Sequence, residues 1–357
     1  MFSKYSLEKE VYLKEDSYFY LSQIDTIIFD IDGVLVDVEL SYHKTIRDTV
    51  QYYFKNIIKM PPMEIGLVDS TILVNFKMAG GFNDDWELCA AIILFYLWKS
   101  KEYQLQSARE LKDNPPLISD FVKQHLSDGG GLPKMIDWIR KNSDYADQIF
   151  SLWNKEIIFQ LAKECYAGQK HCFDFYHFQP SIIIKQEGNI EQESILFEAT
   201  LEDRLKKFQV GIYTGRSRGE TSYIIEKIGW KKWLSPEMII TCEDNIKKPS
   251  PAGLKLLLDK FLSRMGLYIG DTRDDLLTVQ NLNRKEKRIR CLSAIVTGEH
   301  SAEKREKERF YRDKGADLVA GNVNQVLRLV FSMAEWTRKQ KERLGGEVFG
   351  KQNCSGK

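Results

Sequence analysis

Two styles of hydrophobic patterning alternate along this chain. Residues 24 to 37, and again about 200 to 330, hold short apolar runs, each followed by turn residues and a helical pattern. The runs are Thr26–Phe29, Val210–Tyr213, Met238–Ile240, Leu267–Ile269 and Ala294–Val296. Short buried strands alternating with helices predict an α/β fold: a parallel sheet with helices on both faces. Between the two blocks the period changes. Tyr42, Ile46, Val50 and Phe54 recur every four residues, and Ala90, Ala91, Leu94 and Phe95, then Ile136, Trp138 and Ile139, continue in helical spacing. Strands of one parallel sheet cannot lie that far apart unless a second, mainly helical domain is inserted between them. The predicted organisation is therefore a discontinuous core, residues 1–37 and 199–335, with residues 38–198 inserted. A polar tail, 336–357, is expected to fray. The insert of about 160 residues has the size of one ordinary domain.

Composition narrows the partners. Apolar residues are 43% and charged residues 29% of 357, which suits a folded globular chain. Lys and Arg number 52 against 51 acids, so the net charge is +1 and no nucleic acid partner is expected. The longest apolar run, Cys89 to Trp98, is half of the roughly 20 residues that span a bilayer, so no membrane partner is expected either. The N-terminus, MFSKYSLEKEVYLKED, has no apolar signal region, and a cytoplasmic location is expected. Oligomeric state leaves no trace in the sequence. None of the six cysteines forms a CxxC pair, so reduced thiols are expected. Cys165, His171, Cys172 and His177 could offer zinc ligands, but their spacing fits no common structural site. Phe173, Phe175, Tyr176 and Phe178 around them read instead as a packed aromatic segment.

Four motifs carry chemistry, each at the end of a predicted strand or in the loop beyond it. The first is Asp30-Ile31-Asp32-Gly33 after Thr26–Phe29. Ligands bind in the crevice beyond the carboxyl ends of such strands, and both carboxylates can turn into it. Asp30 is placed to attack and Asp32 to transfer a proton; Gly33 allows a tight turn. Two aspartates capping a turn is the plainer alternative. The second is Thr214-Gly215-Arg216, a hydroxyl and backbone N–H groups that can hold an anion, or a simple helix cap at Thr214. The third is Lys248 in the Pro-stiffened loop Lys247-Lys248-Pro249-Ser250-Pro251, able to set one positive charge on a phosphoryl oxygen. The fourth is Gly270-Asp271-Thr272-Arg273-Asp274-Asp275, whose acids suit a hard cation or, more plainly, an acidic helix start.

In this order and on separate strand ends, the four motifs resemble the haloacid dehalogenase superfamily, in its branch with a helical cap inserted after the first motif. The match covers residues 24 to 37 and about 205 to 320. The resemblance implies a Rossmann-like core and Mg²⁺-dependent phosphoryl transfer on a small phosphorylated metabolite. It implies Asp30 as nucleophile and Asp32 as general acid and base. Thr214, Gly215 and Lys248 would hold the phosphoryl group. Asp30, the backbone carbonyl of Asp32, and Asp271 would hold Mg²⁺, with Asp275 in the outer shell and Asp274 sharing that work. An acid at position 32 favours phosphate esters over halide displacement, which needs no protonation. Within the insert, Lys77-Met-Ala-Gly80-Gly81-Phe82-Asn83-Asp84-Asp85-Trp86 reads as a cap loop over the cleft. Gly81, Asn83 and Asp84 are its candidate substrate-reading residues, or Asn83 or Asp84 is a helix cap. Arg216 is a further candidate, for a second anionic group on the substrate. A phosphatase is the leading expectation. A phosphomutase, or a regulatory protein that kept the fold without turnover, are the alternatives.

Overall fold

The computed structural model describes residues 5–8, 11–61, 65–82, 84–298 and 304–352. Its strands are β1 Tyr5–Glu8, β2 Val11–Lys14, β3 Thr26–Phe29, β4 Val36–Asp37, β5 Ser194–Ile195, β6 Gln209–Tyr213, β7 Ile239–Ile240, β8 Met265–Gly270, β9 Arg290–Val296 and β10 Leu318–Ala320. Eight of them form one sheet in the order β1-β2-β10-β9-β8-β3-β6-β7. From β10 to β7 all neighbours run parallel, while β1, β2 and β10 pair antiparallel. All five apolar runs noted in the sequence became strands of this sheet. The hairpin β1–β2 and the strand β10, which lies between β2 and β9, add to it.

The centre of the sheet explains its helices. Every residue of β3 is buried, and successive side chains point to opposite faces. Ile27 and Phe29 join Ile212, Leu267 and Ile269, covered by Ile224 and Ile225 of helix Arg218–Ile228 and by Val326, Leu327 and Val330 of helix Val323–Gln352. Ile28 points the other way, to Tyr213 and Tyr268, beneath Leu254 and Leu257 of helix Ala252–Lys260 and Val279 and Leu282 of helix Arg273–Lys285. Each such buried side chain contributes about 1.5–3 kcal/mol. The fold is α/β, a Rossmann-like mostly parallel sheet with helices on both faces. The polar stretch from 336, expected to fray, continues helix Val323–Gln352, in keeping with its good helix formers Lys, Arg, Gln and Glu.

The helical insert begins after β4 and ends at β5, which form a two-stranded ribbon separate from the main sheet. These two strands pair with each other, Val36 opposite Ile195 and Asp37 opposite Ser194. The insert has an apolar cluster of its own, built from helices that include Lys44–Tyr52, Ser70–Ala79, Asp85–Glu102 and Lys155–Tyr176. Leu88 to Lys99 is buried throughout, so the long apolar run of the sequence is the central helix of that cluster, hydrophobic all round. No described helix is long and apolar enough to cross a membrane.

Candidate active site

The carboxyl ends of β3, β6 and β8 lie side by side, and three of the four motifs meet there. Asp30 directly follows β3. Its backbone N–H donates to Ile269 O at 2.8 Å, and its Oδ1 accepts from Ile31 N at 2.8 Å. The fourth element, the loop after β7, brings in Lys248. Its Nζ lies 2.9 Å from Asp30 Oδ2 and 2.7 Å from Asp275 Oδ1. Gly33, at φ +69°, takes a backbone conformation open to glycine, and a Cβ there would sit 2.5 Å from Asp271 Oδ2. The turn after Asp32 therefore leaves room for the Asp271 carboxylate.

Asp275 and Asp271 are held in opposite ways. Asp275 Oδ1 accepts from Lys248 and from Tyr268 OH at 2.9 Å. Its Oδ2 accepts from Asp271 N, Thr272 N and Thr272 Oγ1 at 3.1, 2.9 and 2.6 Å. Thr272 and Asp275 form the capping box that starts helix Arg273–Lys285. Asp271 Oδ1, by contrast, is buried with no hydrogen-bond partner, while Oδ2 lies 3.7 Å from Lys77 Nζ. Oxygens of Asp30, Asp271 and Asp275 all come within 4.8 Å of one another.

These carboxylates crowd one buried space. Burial pushes the Asp30 carboxyl up to about 8; Lys248 pulls it down, while Asp275, Asp32 and Asp271 raise it further. Burial also raises Asp271, against the pull of Lys77. Asp275 alone is held below its ordinary value: burial opposes ionisation, but Lys248 and the Thr272 hydrogen bonds outweigh it. A divalent cation fits this set. Asp271 offers an unpartnered buried oxygen, Asp30 retains acceptor capacity, and the donors are the oxygens a hard ion prefers. Asp275, with both oxygens already accepting, suits an outer position.

The second carboxylate of the first motif is held separately. Arg216 Nε and Nη2 both donate to Asp32 Oδ1, at 2.8 and 2.5 Å. The guanidinium is fully buried; Nη2 also meets Glu193 Oε1 at 2.8 Å and Nη1 meets Tyr166 OH at 2.9 Å. It lies 5.0 Å from the centre of the Tyr42 ring, which stacks on Tyr166. Thr214 is buried and bonds through its backbone N–H to Ile240 O, so it extends β6. Its hydroxyl accepts from Arg216 N at 3.3 Å. The helix cap nearby is Ser217, not Thr214. Thr214, Gly215 and Lys248 line one small cavity, with Gly81, Asp84 and Asp274 on its far side.

The cap-loop candidates have structural duties. Gly81 N donates to both carboxylate oxygens of Asp274, at 3.2 and 3.1 Å. Beside it, Arg273 Nη1 donates to Ala79 O at 2.6 Å and Ser127 O at 2.5 Å. Asp274 and Arg273 thus tie the loop to the start of helix Arg273–Lys285. Asp84 caps helix Asp85–Glu102 by accepting from Trp86 N and Glu87 N. Asn83 lies outside the described residues. The Cys165–His177 group does not gather: His171 pairs with Glu191 and stacks on Phe175, and His177 ends helix Lys155–Tyr176 in a left-handed turn. Four residues at the site went unmarked in the sequence. Lys77 faces Asp271; Asp85 is half-buried, and desolvation pushes its carboxyl up to about 7 with Lys77 pulling it down. Tyr166 and Glu193 surround Arg216. Lys77 and Asp85 flank the Gly80-Gly81 loop, which was their one visible signal.

The family model for haloacid dehalogenase-like hydrolases matches residues 24–283, and the chain belongs to that family. Among solved structures, the chain is similar to phosphatase Tt82 from Thermococcus thioreducens, at 23% identity and a TM-score of 0.55, covering 86% of this chain and 99% of that one. A haloacid dehalogenase-like protein of unknown function from Agrobacterium tumefaciens aligns at 14% identity and a TM-score of 0.43, over 87% and 99% of the two chains. A β-phosphoglucomutase from Clostridium difficile aligns at 12% identity and a TM-score of 0.37, over 87% and 97%. No curated protein matches.

Proposed function

We propose that this hydrolase is a Mg²⁺-dependent phosphomonoesterase that works through an aspartyl-phosphate on Asp30. The observation that supports the reading is Lys248 at 2.9 Å from Asp30, in a carboxylate cluster with Asp271, whose buried Oδ1 has no partner. A nucleophilic carboxylate facing a phosphate dianion is repelled unless positive charge stands beside both. Lys248 supplies one such charge. Asp30, the Asp32 backbone carbonyl and Asp271 would hold Mg²⁺, with Asp275 behind them, and the ion when bound neutralises phosphoryl oxygens.

In the first half-reaction an Asp30 oxygen forms a bond to phosphorus as the ester P–O bond breaks. Asp32 gives its proton to the departing alkoxide. In the second, Asp32 takes a proton from water, whose oxygen attacks phosphorus and releases Asp30 and inorganic phosphate. Thr214 Oγ1, Gly215 N–H and Lys248 Nζ orient the phosphoryl oxygens. A cavity of about 720 Å³ opens beside Asp271 and Gly33 and is lined from the insert by Lys77 and His43. Its lining includes Asp271 but not Asp30, Asp32, Thr214 or Lys248, so it borders the proposed reaction centre from the Asp271 side. In this reading residues 38–198 are a cap that closes over the core of 1–37 and 199–335, hinged near 38 and 199.

The test uses the full chain on a panel of phosphate esters, with Mg²⁺ and with chelator. Free phosphate should appear only with Mg²⁺, and Asp30→Asn should abolish it while leaving the circular dichroism spectrum unchanged. An Asp30→Asn protein as active as wild type would refute the assignment. Isomerised ester without free phosphate would make the chain a mutase.

A further inference from the structure

We infer that Arg216 is the positioning residue of Asp32, and that it transmits the seating of the inserted helices to that carboxylate. The inference rests on the reading of Asp30 as nucleophile and Asp32 as proton carrier. Three observations carry it.

The guanidinium has no surface to offer a substrate. It is completely buried, and its N–H groups point at Asp32 twice, at Glu193 and at Tyr166. Both bonds to Asp32 end on Oδ1, and none of them ends on Oδ2. Two donors from a rigid planar fork on one oxygen restrict rotation of the carboxylate, which a flexible ammonium cannot do. Asp32 keeps 18% of its side chain exposed, whereas Arg216 and Glu193 keep none. The carboxylate thus stands at the solvent edge of a buried ionic cluster.

The cluster is also anchored in the insert at three places. Glu193 Oε1 accepts from Ser41 Oγ at 2.8 Å, where the chain enters the insert. It accepts from Tyr166 OH at 2.9 Å, on helix Lys155–Tyr176. Glu193 itself directly precedes β5, where the chain returns. The Tyr42 ring, one residue from Ser41, covers the guanidinium. Arg216 belongs to the turn after β6, in the sheet. It is therefore a bridge: one side of the fork holds Asp32, and the other holds three segments of the insert. A displacement of those segments moves Glu193 and Tyr166, and Arg216 then loses the contacts that fix its direction on Asp32.

This role predicts a selective defect. Proton donation matters for an alkoxide leaving group and little for 4-nitrophenolate, which departs unprotonated. The value of kcat/KM covers steps up to loss of the leaving group, so later hydrolysis does not enter it. Arg216→Lys keeps the charge and removes the fork; Glu193→Gln keeps the shape and removes the anchor. Either should lower kcat/KM for an alkyl phosphate by on the order of 10²-fold, the lower end of what a placed acid contributes. The loss on 4-nitrophenyl phosphate should be far smaller. Asp32→Asn should show the same pattern, and Arg216→Lys added to Asp32→Asn should bring no further discrimination between the esters. Equal losses on both esters, or a further discrimination in the Asp32→Asn background, would overturn the inference. Crystal structures of Arg216→Lys and Glu193→Gln give a readout free of turnover: the Asp32 carboxylate should leave its wild-type rotamer, and an unmoved carboxylate in both overturns the inference. Absence of turnover in the wild type would count against the phosphatase reading alone, because the crystallographic comparison decides the positioning by itself.

Discussion

Replacing Gly81 by alanine, compared with the same change at Gly129, separates backbone strain from steric contact. Both glycines have positive φ, +81° and +92°. A Cβ on Gly129 meets nothing within 4 Å, whereas one on Gly81 would lie 2.6 Å from Gly131 N and 3.0 Å from its Cα. Gly129→Ala therefore carries only the strain of an unfavourable φ, about 1–3 kcal/mol. Gly81→Ala carries that and the cost of pushing two backbones apart, about 1–3 kcal/mol more. Unfolding entropy of about 2.1 cal/mol/K per residue over 357 residues gives about 0.75 kcal/mol/K. The expected loss in Tm is then about 1–4 °C for Gly129→Ala and about 3–8 °C for Gly81→Ala. Differential scanning calorimetry measures both, and turnover on the best ester follows the loop's attachment. Because Gly81 N–H also holds Asp274, Gly81→Ala should lower activity where Gly129→Ala does not. A Gly81→Ala protein no less stable than Gly129→Ala would refute the contact seen between the two glycine loops.

Other changes test the charges. Asp271→Asn should raise the Mg²⁺ needed for half-maximal turnover by more than about 10-fold, an effect that even outer partners of a ligand can have; a Mg²⁺ titration measures it. Asp275→Asn leaves Lys248 with Asp30 as its one remaining counterion in the cluster, and breaking a buried pair costs about 3–5 kcal/mol. Denaturant titration should show that loss even without Mg²⁺. His43 predicts acid lability: burial, then Lys77, Arg47 and Lys307, push its pKa down to about 3 from 6.5. Below 6.5 the unfolded chain takes a proton that the folded chain refuses, so stability is full above that pH and falls between about 6.5 and 3. His43→Phe should flatten this part of the stability profile, and an unchanged profile would count against a desolvated neutral imidazole.

Much of the sheet was legible because its strands are short, apolar and followed by turn residues, the pattern of strands buried on both faces. The candidate carboxylates were legible by their order: each alone could cap a turn or start a helix, but together they stand at the ends of separate strands. The hairpin β1–β2 escaped notice because Val11-Tyr-Leu-Lys14 alternates over four residues only and lies in a polar leader. β10 is three residues long. Arg216 shows the limit more sharply. Its place after Thr214-Gly215 marked it as part of the site, but its partners Glu193 and Tyr166 are 23 and 50 residues away in sequence. No local pattern marks a glutamate whose use is decided by tertiary packing. The same holds for the Gly80-Gly81 loop: the sequence marked the unusual backbone, while its contact with Asp274 is set by helix Arg273–Lys285, 193 residues on.

The pairing of β4 with β5 has a consequence for how such a protein can change. The outgoing and incoming chains are neighbouring strands, about 4.8 Å apart in any sheet. Whatever lies between Asp37 and Ser194 is thus invisible to the registers of β3, β6 and β8. The ribbon is a graft site. A tight hairpin turn could close it, or a different set of helices could be spliced there, with Asp30, Lys248 and Asp271 left in place. The strand ends that carry Asp30, Lys248 and Asp271 do not depend on what is spliced there, whereas Arg216 keeps its present setting only if the new segment supplies partners equivalent to Tyr166 and Glu193.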